Sequence, residues 1–342
     1  MLLGSDAWQK EIELRLFSLR SRRDLECFVA DMECSNAFSA SLVFLVRSWL
    51  AEIPEDSVDD FNPREFLSDD LSAAILGKFP IVFMGTNAWA TKPYLDCAVH
   101  QAKIEQFLTH LRAVLPIFAG KKVALVIIPE KDYVIDKHFL HTGRFAAIDA
   151  AFSCLKERCG DLGVSLAFNE YLEPLAPYEK PEDFHYLDTH LPWRHYIQLY
   201  AHLLTLFRIE WQQIAPQFST QDKQVFSDLH GKFTGHEPKA SWARVPYVSN
   251  ADLRIVGGAE SFAIPLGNTM QLIVNQNPLH LGKVLLLGDS HSSILSKNNL
   301  TYLFASTFEC CEFHWNPCGV REIPKSTDAD MVVMEISQRF LI

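Results

Sequence analysis

Apolar positions along the chain fall into two regimes. Over residues 7–53 they recur at helical spacing, with Ile12, Leu14, Leu16, Phe17 and Leu19 on one face and Phe38 to Ile53 as a second, hairpin-like partner. The stretch Pro54-Glu-Asp-Ser-Val-Asp-Asp-Phe-Asn-Pro63 then breaks the pattern with acids and prolines, as a linker does. From Phe79 onward, short apolar runs alternate with helical segments, the mark of a parallel sheet covered on both faces. Ile81 to Met84, Val123 to Ile128 and Val164 to Phe168 are the first strands. Between them lie helices from about Ala98 to Leu115 and from Arg144 to Cys159, the latter stopped by Gly160.

After the proline-rich connection Pro174 to Pro181, a long helix is expected from Pro192 or Trp193 to near Ile214. Residues 216–250 show no ordered pattern. Ser261 to Leu266 and Gln271 to Val274 read as short strands, Val284 to Leu287 as a buried one, Ser292 to Ser306 as a helix, and Met331 to Ile336 as a final strand. The expected fold class is α/β: a three-layer α/β/α sandwich on a mostly parallel sheet. A helical N-terminal appendage with its linker would occupy 1–62 and the main domain 63–342.

Composition narrows the function. Of 342 residues, 48% are hydrophobic, enough for a sizeable core. The formal net charge of −11, with no basic run, argues against nucleic acid as a partner. No apolar run approaches the roughly 20 residues of a spanning helix, so the chain is not expected to cross a membrane. The start carries neither a basic n-region nor an apolar h-region, so the expected location is cytoplasmic as written, or periplasmic if a leader is missing. The cysteines show no disulfide framework and sit in apolar or helical contexts, as reduced core thiols do.

The candidate chemistry lies in Lys283-Val-Leu-Leu-Leu-Gly-Asp-Ser-His-Ser-Ser-Ile-Leu295. There a buried strand runs into a Gly-Asp-Ser turn and then an expected helix, which would place Ser290 at the C-terminal edge of a sheet and before the free N–H groups of a helix start. Those groups can hold an oxyanion. A serine hydroxyl needs a base, and Asp188-Thr-His190 offers one, with Asp188 able to reach His190 Nδ1 while Nε2 points outward. The bland alternatives are a helix cap at Ser290 and a capping turn at Asp188. His291 is either a substrate contact or an ordinary exposed first-turn histidine, and Trp89 and Trp193 either stack on a sugar ring or pack in the core.

Two groupings have metal-ligand types. His185, His190 and His195 recur every five residues, which matches neither helical nor strand facing, and Cys310-Cys-x-x-His314-x-x-x-Cys318 lies in what reads as a strand. Buried thiols are the preferred reading of the second, and no metal is expected.

Five segments together carry a family resemblance: Val82-Phe-Met-Gly-Thr-Asn-Ala-Trp89, Val126-Ile-Ile-Pro-Glu-Lys131, Tyr186-Leu-Asp-Thr-His190, Leu287-Gly-Asp-Ser290 and Met331-Val-Val-Met-Glu-Ile-Ser-Gln-Arg339. In this order, over roughly residues 75–342, the chain resembles the SGNH-hydrolase-like domain of the alginate O-acetyltransferase family. The resemblance implies a circularly permuted SGNH fold, with Asp-x-His ahead of the Gly-Asp-Ser strand. It implies Ser290 as nucleophile, His190 as base and Asp188 as its orienter. It also implies O-acetyl transfer to a glycan, from a donor of unknown identity and with an acyl-donor protein as a candidate partner, and no bound cofactor.

Asn87 and Lys131, in loops expected to open on the same sheet edge as Ser290, are candidates for the second oxyanion donor. The chain departs from the family pattern after His190, where Leu191-Pro-Trp-Arg delays the tryptophan to Trp193 and the usual glycine is absent. The alternatives to glycan acetylation are a carbohydrate acetylesterase, a catalytically silent glycan-binding or assembly module, and a cytosolic enzyme acting on a nucleotide-sugar or small metabolite.

Overall fold

The short, unalternating apolar runs around Val123 to Ile128, Val284 to Leu287 and Met331 to Met334 become the centre of one sheet. In chain order the elements are helix α1 (Arg22–Glu33), strands β1 (Ala73–Ile75) and β2 (Val82–Met84), helix α2 (Cys97–Val114), β3 (Lys122–Ile128), α3 (Ala146–Asp161), β4 (Ser165–Ala167), α4 (Trp193–Leu206) and the short α5 (Trp211–Ile214). Then come β5 (Phe218–Val225), β6 (Ser241–Val248), β7 (Leu253–Gly258), β8 (Met270–Asn275), β9 (His280–Gly288), α6 (Leu300–Thr307), β10 (Phe308–Trp315), β11 (Met331–Ser337) and α7 (Gln338–Leu341). This computed structural model describes residues 14–33, 46–47, 49–51, 53, 62, 73–75, 82–84, 97–130, 133–134, 137, 146–168, 190–225, 241–258, 270–292, 298–316 and 323–341.

The main sheet has seven strands in the order β4-β3-β11-β9-β10-β8-β7. The first five run parallel, and β8 and β7 add an antiparallel edge. Consecutive residues of a strand face opposite sides, so the unbroken burial of Ala124 to Ile128 and of all of β11 means both faces are covered. The connection from β3 through α3 to β4 moves toward one edge of the sheet, and that from β9 through α6 to β10 moves toward the other. Right-handed crossovers in opposite directions put α3 and α6 on opposite faces. Helix α2 packs with α3 and α7, and α4 with α6. The three-layer, mostly parallel α/β/α expectation is met.

Local departures from the sequence reading have local causes. Val82–Met84 does not join the main sheet. It pairs antiparallel with Ala73–Ile75, its near neighbour in the chain. The helix expected to stop at Gly160 continues to Asp161 and ends at Gly163, whose φ of 74° is left-handed. Val164 N–H donates to Cys159 O and Gly163 N–H to Gly160 O, a Schellman arrangement that uses the last carbonyls. Nothing lies within 4 Å of a Cβ added at Gly163, so the cost of Gly163→Ala is conformational. It is expected to lower stability by about 1 kcal/mol, read as a shift of the urea midpoint at unchanged slope.

The helix expected to reach Ile214 ends at Leu206. Arg208 takes a left-handed φ of 61°, and Ile209 N–H closes on Leu204 O. The unordered region contains the β5–β6 hairpin. Ser219 to Lys223 has no apolar alternation, so the pattern carries no signal there. The hairpin is anchored instead through Val248 N–H to Tyr302 Oη at 3.1 Å and Asn298 Nδ2 to Pro246 O at 2.6 Å.

In the N-terminal part, residues 14–18 and α1 are helical, and Arg22 Nη1 donates to Leu50 O at 3.1 Å. Most of the linker and the strand expected at Ser261 to Leu266 lie outside the described residues. No helix among the described residues is long and apolar enough to cross a membrane.

Candidate active site

Strand β9 is buried over its last five residues and ends at Gly288, in the middle of the seven-stranded sheet. This is the C-terminal edge, where open α/β sheets bind ligands. The chain then makes a tight turn, closed by Ser292 N–H on Asp289 O at 3.1 Å. Gly288 is required by space: a Cβ there would stand 2.5 Å from Ser292 Oγ and 2.6 Å from Glu335 Oε2.

Of the helix expected over Ser292 to Ser306, the described part is α6. Ser292 is in the turn, residues 293–297 lie outside the described residues, and α6 begins at Leu300. The side chains of the turn bond sideways, to neighbouring elements and to one another. Ser292 Oγ donates to Glu335 Oε2 at 2.8 Å, and Asp289 Oδ1 accepts from His291 N–H at 2.9 Å. Ser292 O accepts from Thr301 N–H at 3.0 Å and also from the Thr301 hydroxyl, and Ser290 O accepts from Asn299 Nδ2 at 3.2 Å. Ser290 itself is half-buried, and among the described residues neither its N–H nor its hydroxyl is engaged in a hydrogen bond.

His190, 100 positions earlier in the sequence, reaches this turn. It is buried just ahead of α4, which the chain enters in extended conformation at Pro192. Its ring centroid lies 4.9 Å from that of His291, the residue after Ser290. His291 is not the exposed histidine of a first helical turn: it is 2% exposed, and its Nδ1 hydrogen-bonds Tyr196 Oη at 2.8 Å. The turn is pulled inward by Glu335 and Ser292, which carries His291 against α4. Removing that phenol hydroxyl in Tyr196→Phe is expected to cost about 1 kcal/mol, measured by urea unfolding.

Among the described residues Ser290 Oγ has no hydrogen bond to His190. Such contacts commonly tighten when substrate is bound. Asp188, Asn87, Lys131 and Trp89 lie outside the described residues. Trp193, half-buried at the start of α4, has the Arg194 guanidinium 5.5 Å from its ring centroid.

The sequence reading missed Glu335. It is 0% exposed in a strand of otherwise apolar character, and a lone acid in such a run is itself a signal of a specific partner. Its Oε2 also accepts from Asp289 N–H at 2.9 Å. From the same strand, Ser337 Oγ donates to Asp289 Oδ2. Gln338, 2% exposed, ties the ends of β11 and β3 through Glu130 N–H at 3.0 Å.

The cysteine grouping is strand, as its pattern suggests. Cys310 and Cys311 are consecutive in β10 and so face opposite sides of the sheet, which keeps them from sharing one ion. Cys311 is wholly buried, and burial pushes its thiol well above the ordinary range. His314 Nε2 pairs with Glu312 Oε1 at 2.6 Å, while Cys318 and His185 lie outside the described residues. A cavity of about 210 Å³ beside Lys283, Cys310, Glu312 and Asp328 adjoins the start of β9, about 20 Å along the strand from Ser290.

No family model matches the sequence, and no curated protein matches it. Solved structures that the chain is similar to include PatB1 of Bacillus cereus, at 12% identity and a TM-score of 0.48, over 70% of this chain and 91% of that one. A DHHW family protein from Eubacterium siraeum is similar at 11% identity and a TM-score of 0.47, over 75% and 90% of the two chains. The O-acetyltransferase domain of Pseudomonas putida AlgJ is similar at 15% identity and a TM-score of 0.41, over 73% and 86%. These are distant likenesses in the course of the chain, and the functional reading rests on the residues around Ser290.

Proposed function

We propose that the chain is an O-acyltransferase that moves an acetyl group through an ester on Ser290 to a carbohydrate hydroxyl. The observation that supports this most is the meeting of His190 with the Ser290 turn at the C-terminal edge of the sheet, from 100 residues away in sequence. A hydroxyl and an N–H that make no hydrogen bond among the described residues, beside an imidazole, are the parts acyl transfer needs.

In this reading His190 accepts the Ser290 proton as Oγ attacks the acetyl carbonyl, and the Ser290 N–H holds the oxyanion with a second donor, for which Asn87 and Lys131 are candidates. Collapse expels the donor's leaving group, which takes the proton from His190. The acceptor hydroxyl then gives its proton to His190 as it attacks the ester carbonyl, and collapse breaks the bond to Ser290 Oγ, which takes that proton from His190 and is free again. Asp188 orients the imidazole and stabilises its cation. Acetyl as the acyl group and a glycan as acceptor come from the motif resemblance.

The test is product analysis with an activated acetyl ester, with and without oligosaccharide acceptors. The expected outcome is acetylated sugar, formed at the expense of free acetate. Free acetate alone, unchanged by any sugar, would make the protein an esterase.

A further inference from the structure

We propose that Glu335 is a positioning residue: from the neighbouring strand β11, its Oε2 holds the Asp289 N–H and the Ser292 hydroxyl together and so fixes the turn that presents Ser290. The geometry carries this. The two donors bracket the serine, one residue before it and two after, at 2.9 and 2.8 Å from the same oxygen. The other flank is tied to the same strand, since Ser337 Oγ donates to Asp289 Oδ2 while Asp289 Oδ1 holds the His291 N–H at 2.9 Å.

Strand β11 lies directly beside β9, with Met334 paired to Leu287, so the acid sits one residue beyond the last registered pair and under the turn. Gly288 leaves the space it needs. Asp289, Ser292 and His291 are thus all spent on the scaffold, and Ser290 is the residue of the turn whose N–H and hydroxyl make no hydrogen bond among the described residues.

The surroundings of Glu335 favour its neutral form. It is completely buried, and its Oε1 has no hydrogen-bond partner among the described residues. An ionised carboxylate would leave half its charge bare. Burial first, and then the charge of Asp289, push its pKa well above the usual carboxylate range. A neutral acceptor also avoids setting two buried charges side by side under the nucleophile.

The catalytic consequence rests on Ser290 as nucleophile, whereas the positioning itself does not, and the experiment separates them. Full-length wild type, Glu335→Gln, Glu335→Ala and Ser292→Ala would be compared by amide hydrogen exchange over residues 289–292 and by steady-state turnover of an activated acetyl ester. Glutamine keeps the accepting oxygen without a charge. It is expected to leave exchange in the turn as in wild type and kcat within about threefold, since a single preserved contact geometry is at stake.

Glu335→Ala is expected to speed exchange in the turn at least tenfold, while peptides of β3 and α2 keep their protection, and to lower kcat about 100-fold at nearly constant KM. Ser292→Ala, a smaller change that keeps the strand intact, is expected to loosen the same amides to a lesser degree and decides the matter if Glu335→Ala does not fold. Unchanged exchange in the alanine variants, or a Glu335→Gln variant as damaged as Glu335→Ala, would overturn the proposal. Wild type without turnover would count against Ser290 as nucleophile and leave the exchange comparison to decide the role of Glu335.

Discussion

Ser290→Ala is expected to lower turnover of an activated acetyl ester by about 10⁴-fold or more, with the unfolding midpoint close to wild type. Loss of the nucleophile of a triad removes the covalent path, and what remains comes from binding and the oxyanion donors. The side chain is half-buried and makes no hydrogen bond among the described residues, so its truncation removes little that holds the fold. Turnover within tenfold of wild type would mean that some other group carries the acyl transfer. A fall in activity matched by a collapse of the unfolding midpoint would mean that the hydroxyl is structural after all, the cap reading in another form.

The second large effect is expected at Gly288. Alanine there would press its Cβ against Ser292 Oγ at 2.5 Å, Glu335 Oε2 at 2.6 Å and Ser292 Cβ at 2.9 Å, separations no folded protein sustains without movement. Neither neighbour can retreat cheaply, because each is buried and hydrogen-bonded to the other. Overpacking of this kind costs about 1–3 kcal/mol. The displaced element is the turn itself, so activity is expected to fall about 100-fold in the fraction that remains folded, as for an ångström-scale misplacement of a catalytic group. Urea unfolding and ester turnover together check this; a variant unchanged in both would show that the turn tolerates a wider path than the one seen.

The parts of the fold that were legible in the sequence are those decided by local pattern. Val123 to Ile128 and Val284 to Leu287 are apolar without alternation, as is Met331 to Ile336 apart from Glu335, which leaves burial on both faces as their outcome, and they became β3, β9 and β11. Ser290 could be singled out because a strand running into Gly-Asp-Ser places a hydroxyl at a sheet edge, whether or not a helix comes next. The hydrogen bonding of the turn around Ser290 was not legible. Whether Ser292 caps a helix or bonds sideways depends on Glu335, 43 residues on, and no local preference encodes that choice.

The same holds for His291, whose burial depends on Tyr196 arriving from α4. Hairpin β5–β6 was invisible for the opposite reason: its first strand is paired through its backbone and presents mostly exposed polar side chains, so it has no stripe to read. The end of α4 at Leu206 has no glycine to mark it, since the left-handed residue that follows is Arg208.

The covalent step can be tested by mass spectrometry of the Ser290 peptide, after quenching during reaction with an activated acetyl ester. An acetyl group is expected on Ser290 in wild type, none on that peptide in Ser290→Ala, and at most a trace in His190→Ala, whose serine has lost its base. Steady acetyl turnover with no adduct on Ser290 under trapping conditions, or an adduct that forms equally well without His190, would contradict acyl transfer through this serine.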